Sequence, residues 1–300
     1  GVATLGEGID LRKNLSLLGA QIFVFSDLEF ESCFKQFIEW NLIPVISDLD
    51  SLKIYFSHNI QRYLPLVLKF NTGMNRLGFN PSMVDEVIRL CKNYNQREIF
   101  HVMSHLSDSY MQDSSQVKKQ QEVFGEIISS LKTACTIRHT SIGNSAYIEQ
   151  EMFQDESYVR PGLALYGGDP VYPFTDCSNL ISSFYFKIIA TRTLREGDLL
   201  GYGNTVLSQD SQVAIANFGY GDGFSTLIQG ADLLIDGDPV KIIAKVNMDL
   251  TFLLFPKNKK VKAGDVFSLW SRHDDNFYRL FHNSQGSPYT LTTQISSRIL

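Results

Sequence analysis

The sequence predicts two domains in tandem: an α/β domain built on a parallel, barrel-type sheet, then a mostly β domain. Three observations predict it. The chain has 300 residues, more than one hydrophobic core usually fills. Its first half alternates short apolar runs with helical patterns, which is how βα units and a parallel sheet read in sequence. After about Asp169 that alternation stops, and short strands separated by Gly/Asp turns replace it.

In order, the first half offers strands at Val2–Thr4, Ile22–Phe25, Ile43–Ile46, Leu66–Phe70, Phe100–Ser104, Thr136–Thr140 and Val159–Leu165. The clearest intervening helix is Ser82–Tyr94, with Ser82 as its cap and Val84, Val87, Ile88 and Cys91 on one face. A closed barrel needs eight strands. The chain supplies seven and opens directly in one, so we read a (β/α)8 TIM-like barrel whose first strand is missing. An open doubly wound sheet fits the same alternation. Asp169–Leu180 reads as a linker, rich in Pro, Asp and Ser. We place the domains at 1–175 and 176–300. The second domain should hold strands at Phe184–Ile189, Val213–Phe218, Asp232–Ile235, Val240–Val246, Thr251–Phe255 and Val266–Trp270, with turns at Glu196-Gly197-Asp198, Asp236-Gly237-Asp238 and Gly264-Asp265 and little helix.

Composition narrows the function. Apolar residues at 44% and charged residues at 20% suit a soluble globular protein. A net charge of -5 and a pI near 5.7 argue against nucleic acid or an anionic membrane as partner. The apolar runs at Ile22–Phe25 and Phe252–Phe255 are of strand length, not membrane length. No leader-like segment opens the sequence, which starts at Gly1 rather than Met. Cys33, Cys91, Cys135 and Cys177 lie far apart with no CxxC pair, so we expect reduced thiols in a cytoplasmic protein and no metal site.

Six motifs stand out. Lys69-Phe70-Asn71-Thr72-Gly73-Met74-Asn75-Arg76-Leu77-Gly78-Phe79 follows a strand, which puts Lys69 and Arg76 at the C-terminal mouth where barrels carry chemistry. On spacing alone it also reads as a Gly-containing loop with two solvated cations. Met103-Ser104-His105-Leu106 sets a histidine at a strand end, where a structural role is equally natural. Ile142-Gly143-Asn144-Ser145-Ala146 offers a hydroxyl and amides that suit a phosphate or an ordinary turn. In Val159-Arg160-Pro161-Gly162-Leu163-Ala164-Leu165-Tyr166-Gly167 an arginine among apolar residues needs a partner, most simply a carboxylate. Gly201-Tyr202-Gly203-Asn204-Thr205 is a turn carrying an aromatic. The last is a pair, Phe218-Gly219-Tyr220-Gly221-Asp222-Gly223 and Val246-Asn247-Met248-Asp249.

In this order, across both domains, the motifs resemble those of the alanine racemase family of pyridoxal-phosphate enzymes (fold-type III). The resemblance runs from Gly1–Thr4, with Glu7, Leu11 and Arg12, to Ser297-Arg298. It implies pyridoxal 5'-phosphate as cofactor, alanine as substrate and a head-to-tail homodimer. It implies that Lys69 is carbamylated, and so an anion able to orient the Arg76 guanidinium toward the cofactor's phenolic oxygen. His105 would lie near the ring, Ser145 and the backbone of Gly162 and Leu163 would bind the phosphate, and Arg160 would face the pyridine nitrogen. Because arginine stays protonated, that nitrogen would not be, and the ring becomes a weaker electron sink. Tyr202, from the partner subunit, would be one of the two acid/base groups a racemase needs on opposite faces of Cα. Tyr220, Met248 and Asp249 would line the substrate's carboxylate and the entryway.

The sequence also departs from the family. Asn71 stands for its aspartate, Asn247 for a common cysteine, and Lys245 for an arginine, a point charge in place of a fork. The family's K-A-N-A-Y-G run, whose lysine forms the Schiff base with the cofactor, has no match. We therefore expect a longer parent protein, missing both ends here, and no activity from these residues alone. The implied role is to supply D-alanine for peptidoglycan in a bacterial cytoplasm. A racemase for another small amino acid such as serine, or an inactive cofactor-binding homologue, fits the same motifs.

Overall fold

The computed structural model describes residues 1–14, 19–25, 30–111, 113–152, 155–171, 180–272, 276–284, 288–296 and 298. The chain divides into two compact units, Gly1–Pro161 and Gly162–Leu300.

The first unit alternates helix and strand: α1 Leu5–Asn14, β1 Ile22–Val24, α2 Phe30–Glu39, β2 Leu42–Ile46, α3 Leu49–Ser57, β3 Val67–Lys69, α4 Val84–Asn93, β4 Glu98–Met103, α5 Ser115–Lys132, β5 Thr136–Ser141 and α6 Ser145–Glu149. The strands form one sheet in chain order, all parallel. Local chemistry sets the helix starts. Glu7 accepts from the amides of Ala3 and Thr4 while Thr4 Oγ1 accepts from the Glu7 amide, a capping box that opens α1. Asp48 accepts from the amides of Asp50 and Ser51 and caps α3. β2, Leu-Ile-Pro-Val-Ile, is buried at every position, as expected for a parallel strand covered on both faces. One face packs under the helices, with Val24, Leu68 and Val102 in one cluster with helix residues such as Phe124. Another cluster gathers Phe23, Phe25, Ile43, Val45, Val67, Phe100 and Met103.

Three expectations need correction. Val2–Thr4 is not a strand; Val2 makes a single parallel bridge to Val24 before α1 begins. Val159–Leu165 is not a strand either. Ser157 and Tyr158 donate to the Thr140 carbonyl and Arg160 to that of Gly143, but Pro161 has no N–H to continue a ladder, and the chain turns into a 3-10 helix at Leu163–Tyr166. Ser82 caps nothing: it sits inside a 3-10 turn, Pro81–Met83, that leads into α4.

The second unit carries β6 Phe184–Leu194, β7 Leu199–Leu200, β8 Thr205–Val206, β9 Ser211–Ala216, β10 Asp232–Ile235, β11 Asp238–Ile242, β12 Thr251–Leu254 and β13 Val266–Trp270, followed by α7 Asn276–Ser284 and α8 Pro288–Thr293. Six of these strands form an antiparallel sheet in the order β10-β11-β12-β9-β6-β13, and β7 pairs with β8. β6 alternates inward Phe184, Phe186 and Ile188 with outward Tyr185, Lys187 and Ile189. Asp236 and Gly237, at φ 51° and 82°, make the two-residue turn between β10 and β11. The helices α7 and α8 were not expected. Phe277, Leu280 and Phe281 bury one face of α7, and the Asn276 side chain pairs with both backbone groups of Leu234, closing the edge of β10. Part of the linker and Cys177 lie outside the described residues; Cys33, Cys91 and Cys135 are free thiols. No described helix is long and apolar enough to cross a membrane.

Candidate active site

In the first unit the nominated residues collect at the C-terminal ends of the parallel strands. Lys69 ends β3, His105 follows β4, and Ser145 follows β5. The loop after β3 folds back on itself: Asn71 and Phe79 exchange backbone bonds with Phe79 and Lys69. Gly78 is required there, because at φ 125° an added Cβ would stand 2.6 Å from the Phe70 carbonyl carbon. Asn71 holds the loop from inside. Its Oδ1 accepts from the amides of Gly73 and Asn75, and its Nδ2 donates to the side-chain oxygens of Asn75 and Asn80. An aspartate could make the first pair but not the second, which gives the departure a local reason.

This loop brings Lys69, Thr72 and Arg76 to one small pocket with Ser104 and His105, and among the described residues no carboxylate lines it. Lys69 is buried, its Nζ 5.9 Å from the centre of the Phe25 ring, while Arg76 is exposed. His105 is pushed down to about 4, first by burial and then by Arg160, Arg76 and Lys69, so it is neutral near pH 7. Arg160, Arg76 and Lys69 thus all act on this one neutral imidazole.

Arg160 lies behind it. Its guanidinium donates to Ser141 Oγ and to the carbonyls of Ser104 and Ile142, and stands 3.5 Å from His105 Nδ1. The simplest expectation, a carboxylate partner, is not met: among the described residues Arg160 makes no ion pair. Burial alone pulls it down to about 10, which leaves it charged at neutral pH. A buried cation supplied only with hydroxyls and carbonyls is complementary to a neutral acceptor such as a pyridine nitrogen. The residues present therefore fit the cofactor that the motifs imply.

Several contributing residues escaped the motif reading. Gln120, fully buried on α5, donates to Thr72 Oγ1 and the His105 carbonyl and accepts from Ser107. Thr72 and Ser104 share a hydrogen bond of 2.8 Å. The available signal was a polar residue on the apolar stripe Val117–Phe124–Ile127–Leu131. Ser145 is buried beside Asn144, whose Oδ1 accepts from the Tyr147 amide and Ser109 Oγ.

In the second unit the nominated residues sit on turns. Tyr202 tops the β7–β8 hairpin, flanked by Gly201, Gly203 and Asn204, all at positive φ. Tyr220 and Met248 are brought together: Tyr220 donates to the Asn247 carbonyl and Gly221 to that of Met248. Asp249 pairs with Arg298, which also reaches Asp222 at 3.8 Å. The Leu163 amide donates to the Tyr289 hydroxyl at 2.9 Å, so Tyr289 stands at the amide that the motif reading assigned to the phosphate.

Comparison with known proteins decides the family. The family model described as "Alanine racemase, N-terminal domain" matches residues 1–170, and that described as "Alanine racemase, C-terminal domain" matches residues 181–300. The chain belongs to the alanine racemase family. An alanine racemase of Rickettsia bellii is 33% identical over 261 residues, covering 83% of this chain and 60% of that protein. The solved alanine racemase of Acinetobacter baumannii is 28% identical with a TM-score of 0.80, over 100% of this chain and 83% of that one. An alanine racemase structure from Bartonella henselae, with covalently bound pyridoxal phosphate, has a TM-score of 0.83 at 20% identity, over 99% of this chain and 82% of that one. The parallel α/β unit followed by a mostly antiparallel β unit is the alanine racemase architecture.

Proposed function

We propose that this chain forms most of an alanine racemase, which interconverts L- and D-alanine with pyridoxal 5'-phosphate. The observation that carries this is Arg160: a buried, charged guanidinium without a carboxylate, beside a neutral His105 and a carboxylate-free pocket holding Lys69 and Arg76. When bound, the cofactor supplies the electron sink that makes the substrate's Cα proton removable. The chain's own residues do the rest. Arg160 offers N–H groups to the pyridine nitrogen and keeps it unprotonated. Arg76 donates toward the phenolic oxygen. As a carbamate, Lys69 would carry negative charge beside it and hold its fork. Ser145, with the backbone of Gly162 and Leu163, binds the phosphate, and Tyr289 joins them at the Leu163 amide. The Tyr202 phenol takes or returns the proton on one face of Cα. Tyr220, Met248 and Asp249 shape the carboxylate side, with Asp249 held by Arg298.

The same reading makes the protein a head-to-tail homodimer in which Tyr202 and Met248 serve the partner's site. It sets the domain boundary at 175, between the two family matches, and the enzyme in the cytoplasm, supplying D-alanine to peptidoglycan. The second proton carrier, the lysine that anchors the cofactor, has no match in these 300 residues, so the chain alone is inactive. Cα-proton exchange into D2O tests the whole reading. The natural gene product with pyridoxal phosphate should deuterate both alanine enantiomers faster than serine, while the 300-residue chain should not. If the natural product exchanges neither amino acid, the racemase reading fails; turnover by the short chain would overturn the assignment of the missing lysine.

A further inference from the structure

His101 has no place in the motifs, yet it sits next to the residue that carries the functional reading. It lies on β4, 3% exposed, with Phe23 and Tyr158 edge-to-face against it at 5.8 Å and 5.4 Å between ring centres. Its Nε2 is 2.7 Å from Ser141 Oγ, and its Nδ1 has no partner. Ser141 is itself fully buried at the end of β5, and its Oγ also receives the Arg160 guanidinium.

Donor and acceptor counting then fixes each proton. A guanidinium only donates, so Ser141 Oγ accepts from Arg160. The hydroxyl has one proton, and the ring nitrogen 2.7 Å away is placed to accept it. His101 Nε2 must therefore be bare, and the ring's own proton is on Nδ1. If Nε2 carried the proton, both lone pairs of the oxygen would be taken, the buried Ser141 hydroxyl proton would have no acceptor and the bare Nδ1 no donor, two unmet groups in place of one. The neutral ring is consistent with its surroundings: burial, then Arg160 and His139, push His101 down to about 3.

We propose that His101 is a positioning residue for Arg160, acting through Ser141, whose hydroxyl it orients so that a lone pair always faces the guanidinium. The unpartnered Nδ1–H is what this arrangement costs: a buried donor without an acceptor is unfavourable, and it is held because the opposite nitrogen is needed bare. That Arg160 in turn faces the cofactor rests on the racemase reading above; the proton arrangement does not.

Side-chain 15N NMR of the full chain, without cofactor, tests the arrangement directly. His101 is assigned by its loss in His101→Phe. It should be the neutral Nδ1–H tautomer from about pH 5 to 8. Ser141→Ala should release it toward the Nε2–H form that free histidine favours, and Ser141→Thr should restore it. An Nε2–H ring in the unsubstituted protein, or a tautomer indifferent to Ser141→Ala, overturns the proposal. The two Ser141 variants leave His101 in place and keep the test decisive if His101→Phe does not fold. In the natural full-length protein loaded with pyridoxal phosphate, Ser141→Ala and His101→Phe should each lower kcat roughly tenfold with KM for alanine little changed. The double variant should be no worse than either single one, because both act through one hydroxyl. Multiplicative losses would overturn the relay. A correct tautomer in a protein that never racemises would instead retain the relay and reject the racemase reading.

Discussion

In the first unit the candidate residues sit at strand ends and bond to one another: Arg160 to Ser141 and Ser104, Ser104 to Thr72, Thr72 to Gln120. In the second unit Tyr202, Met248 and Tyr220 stand on turns facing solvent, 73%, 52% and 45% exposed. The difference follows from the sheets. A parallel sheet covered by helices ends all its strands at one rim, so polar groups there meet inside the fold. An antiparallel sheet connects its strands by hairpins, and a residue at a hairpin tip points away from its own core. The first unit is thus built to hold groups still, and the second to present groups outward.

The contrast makes separable predictions. The largest effect should come from Tyr202→Phe in the natural full-length enzyme. Removing the proton carrier proposed above should cost about a thousandfold in kcat. Because the residue is largely exposed, unfolding free energy should stay within about 0.5 kcal/mol. A marked loss of stability with activity retained would break the comparison on the side of the second unit. Arg160→Met should behave differently. Activity should fall by about a hundredfold or more, since a preorganised cation is lost. Stability should hold or rise, because the cation is buried without a counter-charge. If Arg160→Met unfolds the first unit while the remaining folded enzyme turns over normally, Arg160 is structural.

Backbone constraint divides the same way. Gly78→Ala in the Lys69–Phe79 loop places a Cβ 2.6 Å from the Phe70 carbonyl carbon and 2.7 Å from the Asn71 nitrogen, at φ 125°. It should cost on the order of 3 kcal/mol, measured by urea unfolding. Gly237→Ala, at φ 82° in the β10–β11 hairpin, meets nothing within 4 Å. It should cost about 1 kcal/mol, the intrinsic cost of a left-handed residue. Equal costs would mean that the Lys69–Phe79 loop is no more constrained than a surface turn.

What could be read in advance followed physical range. β10 and β13 matched their expected bounds, because alternation and Gly/Asp turns are local signals. The positions of Lys69, His105 and Ser145 at strand ends were legible for the same reason. Val159–Leu165 misled because an apolar run reads as a strand even where most of it is not buried, Val159 and Leu165 being 39% and 64% exposed; only Pro161 argued otherwise. The missed α7 has a short apolar stripe, Phe277, Leu280 and Phe281, in a polar stretch, and its anchor is a tertiary bond from Asn276 to Leu234. The bonds of Ser104, Ser141 and His101 to Arg160 or to its partners span 56, 19 and 40 residues, and no local pattern announces such contacts.

The smallest predicted effect sharpens the comparison most. His101 and His105 are held neutral in the first unit, at about 3 and about 4 against an ordinary 6.5. Above 6.5 the folded and unfolded chains are both neutral at these rings and nothing is lost. As pH falls below 6.5 the unfolded chain takes up protons that the folded chain refuses, so stability falls, and it stops falling only near the folded values. At pH 5.5 the loss should be roughly 1 kcal/mol for each histidine. The chain's two tryptophans fall one in each unit, Trp40 and Trp270, so Trp270→Phe and Trp40→Phe leave a single reporter for the first and the second unit respectively. Between pH 7 and 5.5 the urea midpoint seen by Trp40 should drop, and His105→Asn should roughly halve that drop while leaving the midpoint seen by Trp270 unchanged. An equal effect of His105→Asn at both tryptophans would mean that the units unfold as one body, and the contrast between them would then be confined to chemistry.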